Sequence, residues 1–293
     1  MKNSIISFIP RAAFLAASLL IVCCCTKSGA EIGREDQMRF EPSLPQTKAS
    51  DSAFEAGDSF GIYAVEYEGS HPAPLQISGN WANNSKSTFD GSKWTVAPPI
   101  YWKDDSKFDV FAYYPYIAEP NSVDDLAFNV LSDQRQEGFT QSDLMWAKAQ
   151  GVSRTDGAVK LNFRHKLSRL DINLVKGEDY EGELPQTAEV RIINTVTSAL
   201  ISLETGDIEK NPTGVSGTIL AHQWETGRYS AIVVPQKILN QVPMVEIVVN
   251  GVSYLLSTKF IFESGVRHTM NITLSSNPEK VIINIGGGIE GWN

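Results

Sequence analysis

Short runs of alternating apolar and polar residues fill this chain from Phe54 onward, with Gly, Asn, Asp and Pro between them. That period of two predicts β-strands. The clearest case is MVEIVVNGVSYLLS (244–257), where Asn250-Gly251 is the signal of a two-residue type I′ hairpin turn. A two-residue turn pairs Val249 with Val252, Ile247 with Tyr254 and Val245 with Leu256. All are apolar, so one hairpin face is hydrophobic, while Glu246 and Ser253 fall on the other. In GVRHTMNITLS, Val266, His268, Met270, Ile272 and Leu274 share a face. In GAVKLNFRHKLSRLDINL (157–174), Val159, Leu161, Phe163, His165 and Leu167 alternate, then Leu170, Ile172 and Leu174 alternate on the opposite parity. A bulge near Ser168 would restore a single face. FDVFAYYPY (108–116) and YSAIVVPQ (229–236) are almost unbroken apolar runs that end at proline, as expected of central strands. MRF (38–40) is a further short strand candidate. The best helix candidate is QSDLMWAKAQ (141–150), with a strand-edge loop as its alternative.

These elements predict an all-β protein of antiparallel sandwiches. The body is long for one sandwich, so the expectation is two β-domains in series, 54–156 and 157–277, divided near Gly157. Residues 25–53 read as a tether with a first strand in it. The last stretch, 278–293, follows the polar linker SSNPE. It carries Val281, Ile283 and Ile285 on one face, and no hairpin turn joins it to the preceding strand. Such a strand needs a sheet edge, in its own molecule or another.

The N-terminus has a different pattern. Lys2 and Arg11 precede an apolar run from Ala12 to Cys25, too short for a membrane span and suited to a signal peptide. Cys23, Cys24 and Cys25 stand together, and the chain has no other cysteine. Adjacent cysteines cannot staple a fold. The segment resembles a bacterial lipoprotein signal, residues 1–24, cut before a cysteine that then carries lipid. Cys25 is the first choice, ahead of Cys24 and Cys23, because polar residues follow it.

Net charge is −9, and no basic stripe is present. That argues against nucleic acid as a partner. No catalytic or cofactor constellation is specific. His71, His165, His222 and His268 lack metal-ligand spacing. His165 and His268 fall on apolar faces and read as core imidazoles. Asp104-Asp105 and Asp124-Asp125 read as turn residues, and Gly286–Gly288 as a flexible end and not a phosphate loop. No enzyme, metal or cofactor is expected. Trp81, Trp94, Trp102, Trp146, Trp224 and Trp292 leave an alternative open, a surface lipoprotein that binds glycans through exposed aromatics and does not polymerise.

The ordered blocks FEAGDSFGIYAV (54–65), PPIYW (98–102), KFDVFAYYPY (107–116), SDLMWAKA (142–149), GAVKLNFRHKLSRLDINL (157–174) and SAIVVPQ (230–236), with a closing strand that ends in Trp, resemble the fimbrillin family of Bacteroidales, the Mfa-like and FimA-like pilins. The resemblance implies two transthyretin-like β-sandwich domains and export to the outer membrane as a lipoprotein. It implies a trypsin-like cut that removes the lipidated leader with the first strand. A neighbouring subunit's C-terminal strand then fills the groove, and repetition builds a fimbria. The implied partners are other fimbrial subunits, the outer membrane through the lipid, and a host or bacterial surface ligand. Val281, Ile283 and Ile285 would be the donor residues. The family's T-R-A before its F-x-x-GD block stands here as Thr47-Lys48-Ala49, so Lys48 is a candidate cut site, with Arg39 and Arg34 upstream. A C-terminal strand packed into its own domain favours a tip or anchor subunit over a stalk subunit.

Overall fold

The computed structural model describes residues 36–44, 53–278 and 282–292. From the N-terminus, β1 (Phe40–Ser43) precedes β2 (Ser59–Glu68), β3 (His71–Pro72), β4 (Ala82–Phe89), β5 (Trp94–Ala97), β6 (Phe108–Tyr114) and β7 (Leu126–Asn129). A short helix, α1 (Glu137–Gln141), leads to β8 (Met145–Val152), β9 (Val159–Asn162) and β10 (Arg164–His165). There follow β11 (Ser168–Lys176), β12 (Glu189–Val196), β13 (Ser198–Ile201), β14 (Ile208–Lys210), β15 (Ser216–Leu220) and β16 (His222–Glu225). The last are β17 (Arg228–Val233), β18 (Gln236–Val249), β19 (Val252–Phe262), β20 (Val266–Leu274) and β21 (Ile282–Gly291).

The all-β class holds. The largest sheet runs β10-β8-β6-β2-β4-β5, with β3 on the end of β2. A second sheet runs β16-β17-β11-β20-β21, a third β15-β12-β18-β19, and a fourth β14-β13-β7. Among the described residues two strand pairings are parallel, β1 with β9 and β11 with β20, and the others are antiparallel. Strands trade partners across Gly157: β9 lies beside β1, β10 beside β8, and β7 beside β13.

The Asn250-Gly251 hairpin has the predicted register, with Val249 opposite Val252, Ile247 opposite Tyr254 and Val245 opposite Leu256. Both turn residues have positive φ, 49° and 82°, which a type I′ turn requires. Its inner face is buried except at Val252, which sits at the turn. On the outer face Ser253 donates a hydrogen bond to Glu246 at 2.8 Å.

Three expectations need correction. Residues 145–152 form no helix: Met145, Ala147 and Ala149 alternate into the core while the backbone pairs with β6. Two-residue alternation and a ready partner outweigh helix propensity there, and the helix is confined to Glu137–Gln141. Residues 159–174 form three strands, not one bulged strand. The first parity block supplies β9 and β10 to two sheets and the second supplies β11 to a third, and the switch falls at Ser168, where β11 begins. Gly287 lies inside β21, where the pairing with β20 shifts register, so the glycine triplet is no loose end.

Two hydrophobic cores result. One gathers Met38, Phe40, Phe60, Ile62, Val110 and Phe163. The other takes Tyr63, Val65, Phe111 and Tyr113 from the opposite faces of β2 and β6, together with most of the later strands. Both faces of β6 are therefore covered, and every residue in it is buried. This is why its sequence lacks alternation. Its one charge, Asp109, is satisfied by Tyr67 Oη at 3.0 Å and the Gly151 N–H at 2.8 Å.

Candidate assembly site

Each end of the described chain is a strand laid against the body. At the N-terminal end, the Trp102 N–H bonds the Asp36 carbonyl and the Met38 N–H bonds the Ile100 carbonyl, both at 2.8 Å. The chain then crosses to β9. The Val159 N–H donates to the Arg39 carbonyl at 2.8 Å, and β1 runs parallel to β9 from Phe40–Val159 to Ser43–Asn162. Met38 and Phe40 point inward and are 1% and 9% exposed. Arg39 and Glu41 point outward. Burying two such side chains contributes about 1.5–3 kcal/mol each. Arg154 forms an ion pair with Asp36 at the start of the segment.

At the C-terminal end, β21 lies antiparallel to β20, with Ile282 opposite Thr273, Ile283 opposite Ile272, and Ile285 opposite Met270. The strand expected to need a sheet edge thus finds one in its own chain. It finishes in a latch. The Trp292 N–H bonds the Gly265 carbonyl at 2.8 Å. The indole is 4% exposed and stacks flat on His165, 3.9 Å between centroids and 3° between planes. His165 Nδ1 is 2.8 Å from Asp143 Oδ1, which fixes the imidazole plane. The Arg169 guanidinium lies 6.0 Å from the indole centroid.

Behind the latch, Asp171 collects Arg169 Nε at 2.8 Å, Ser230 Oγ at 2.5 Å and Arg267 Nε at 2.5 Å. Trp224 Nε1 donates to Ser230 Oγ at 2.8 Å. Asp171 is 7% exposed, so these charges hold one another in a site of low dielectric. His268, buried on β20, has its pKa lowered by burial. His222 is lowered as well, by burial first and by Arg169 as a smaller cause.

Of the residues singled out in the sequence, Cys23, Cys24, Cys25, Arg34, Lys48 and Val281 lie outside the described residues. Ile283 and Ile285 are in β21, Arg39 is in the N-terminal segment, and the two sets belong to opposite ends of the chain. The latch formed by His165 and Trp292 was not legible, although both parts were visible: an imidazole on an apolar parity and a tryptophan beside the end of a strand. Asp104, Asp105, Asp124 and Asp125 are exposed. Among the described residues no group of His, Cys, Asp and Glu is placed to hold a metal ion.

The geometry defines a class first: an all-β protein whose terminal strands each complete a sheet or a core. A family model described as fimbrillin-like matches residues 47–292, and the chain belongs to the fimbrillin-like family. It is 32% identical over 185 residues to a Bacteroides uniformis protein named as a fimbrium subunit, Fim1C, covering 60% of this chain and 57% of the relative. It is 28% identical over 150 residues to a Bacteroides ovatus protein named as a fimbrium tip subunit, covering 44% of this chain and 26% of the relative. The matched part is thus little more than half of the first relative and a quarter of the second. A solved structure from Bacteroides uniformis, named for cell adhesion, superposes with a TM-score of 0.68 at 26% identity, covering 89% of this chain and 100% of that one. Another from Bacteroides ovatus has a TM-score of 0.69 at 19% identity, over 88% and 98%, and shows the shared fold.

Proposed function

We propose that this protein is a terminal subunit of a cell-surface fimbria, one that accepts a neighbour's strand and keeps its own. The observation that carries this reading is the pairing of β21 with β20 in the same chain, closed by the buried Trp292. A stalk subunit must release its last strand. Here release would break the ladder and expose an indole stacked on His165. Ile283 and Ile285 then belong to a closing strand of the C-terminal domain (157–277), and the exchange takes place at the N-terminal domain (54–156).

Export as a lipoprotein on Cys25, to the outer membrane, precedes assembly in this reading. A trypsin-like protease then cuts after Lys48. Arg39 is poorly suited to cutting, because its carbonyl is hydrogen-bonded and its neighbours Met38 and Phe40 are buried. A cut after Arg34 would leave residues 36–44 attached to the body. A cut after Lys48 severs them, and their loss leaves the Ile100 carbonyl, the Trp102 N–H and β9 without their partners beside the core that held Met38 and Phe40. A strand from a neighbouring subunit fits such a groove by main-chain pairing with alternate side chains inward. The contact is heterologous, so growth stops at a subunit that does not donate.

The test is trimming of the full chain with trypsin, followed by N-terminal sequencing and a gel run without boiling. The expected result is a chain beginning at Ala49 that stays monomeric by itself. Ladders from the trimmed wild-type chain that vanish when 278–293 are deleted would identify β21 as a donor and overturn the terminal role.

A further inference from the structure

From Trp81 and the two clefts it lines, we infer a binding site for a neutral pyranose oligosaccharide. Trp81 is 42% exposed, yet it is held in place. Its Nε1–H donates to the Tyr101 carbonyl at 2.8 Å, and its ring leans on Phe108 with centroids 5.9 Å apart. The ring is thus held rigidly and part of it is presented to solvent, with the Lys103 ammonium over the ring, and binding there orders little that is not already ordered. Trp224 is as exposed, but its ring is engaged edge-on by Phe139 at 5.4 Å and His222 at 4.3 Å.

One cleft beside Trp81, about 300 Å3, is lined by Asn83, Ser85 and Pro98 among others. The other, about 310 Å3, is lined by Glu66, Gln76 and Asn80 among others. A flat aromatic with amide, hydroxyl and carboxylate groups around it suits a pyranose. The ring C–H face covers the indole, and the hydroxyls at its rim find donors and acceptors. Charge narrows the class. Lys103 lies 5.6 Å from the indole centroid, but both oxygens of Glu66 take its ammonium at 2.8 Å. Glu68 also lines the second cleft and leaves the site negative. Sulfated or sialylated chains are disfavoured there.

The site is at the opposite side of the large sheet from the C-terminal latch. Four strand spacings, roughly 19 Å, separate β4 from β10. It does borrow the Tyr101 carbonyl from the segment that pairs with residues 36–38. The inference does not depend on the terminal role, since the ring is exposed in the isolated chain.

The experiment uses the full chain labelled with 5-fluorotryptophan, whose indole resonances are followed by fluorine NMR. Trp81→Phe assigns the Trp81 signal, and the Trp292 signal reports that the variant is folded. Maltohexaose, cellohexaose, laminarihexaose, mannohexaose and chitohexaose are titrated separately, with a heparin hexasaccharide as the acidic counterpart. The expected result is a saturable shift of the Trp81 signal with at least one neutral saccharide, while the Trp292 signal stays fixed. A Trp81 signal that no neutral saccharide moves, or that heparin alone moves, overturns the assignment.

Discussion

The first and last strands of this protein are both attached by backbone pairing, but they are attached differently. Residues 36–44 bond to two neighbours in turn, Ile100–Trp102 and β9, and bury Met38 and Phe40. Any extended strand with apolar residues at alternate positions can make those bonds. β21 bonds to one neighbour and ends in a single aromatic, Trp292, whose stack on His165 no generic strand would reproduce. The first arrangement is exchangeable and the second is specific. Under the strand transfer proposed above, that difference decides which end of the chain can pass on.

The strongest way to break the comparison is Trp292→Ala. Removing a buried Trp costs about 3–5 kcal/mol, read as a lower denaturation midpoint at unchanged slope. Amides of β21 should lose hydrogen-exchange protection before those of β6. Unchanged protection in β21 would show that the ladder alone holds it. Next comes Met38→Ala, with an expected loss of about 2–3 kcal/mol. Its distinguishing readout is exchange at the amides of Trp102 and Val159, which donate to carbonyls of the weakened segment. Loss of protection in β21 instead would merge two ends that the structure keeps apart.

Much of this contrast could be read in the sequence, and the rest could not for definable reasons. The Asn250-Gly251 hairpin was legible because a type I′ turn fixes register, and register fixes which side chains face inward. The switch of parity at Ser168 was legible as a position but not as an event. A bulge and a change of sheet leave the same trace in alternation, and only the partners β1, β8 and β17 separate them. The segment 141–150 was misread because a strand buried on one face can carry Ala, Lys and Met, all good helix formers. The N-terminal strand was visible as an apolar pair, and the C-terminal strand as an apolar run in need of a partner. Which partner it takes is a property of the edge that β20 offers, not of the tail's own residues.

Acid should separate the two ends by a smaller effect. His268 lies on β20, and burial lowers its pKa from the usual 6.5. The folded state therefore binds its proton less readily than the unfolded chain does. Stability from this source is fully present above pH 6.5 and is lost as pH falls below it. The slope is at most about 1.4 kcal/mol per pH unit for one histidine. The described N-terminal segment, 36–44, contains no histidine. Denaturation midpoints between pH 7.5 and 5 should fall, and His268→Gln should flatten that fall. Equal slopes for the variant and the wild type would remove His268 from the account.

The smallest effect tests whether the N-terminal segment is held by anything besides its pairing and its two buried side chains. Arg154 and Asp36 form an ion pair at its start, with side chains 52% and 35% exposed. Exposed pairs of this kind are worth about 0–1 kcal/mol, because solvent screens them and two long side chains lose freedom in making them. Arg154→Ala should therefore leave the denaturation midpoint almost unchanged and speed the proposed trimming after Lys48 only slightly. Raised salt should erase even that difference. A large gain in trimming rate would mean that this pair, and not Met38 and Phe40, keeps the first strand seated. Exchange would then be governed by ionic conditions at the cell surface instead of by the shape of the incoming strand.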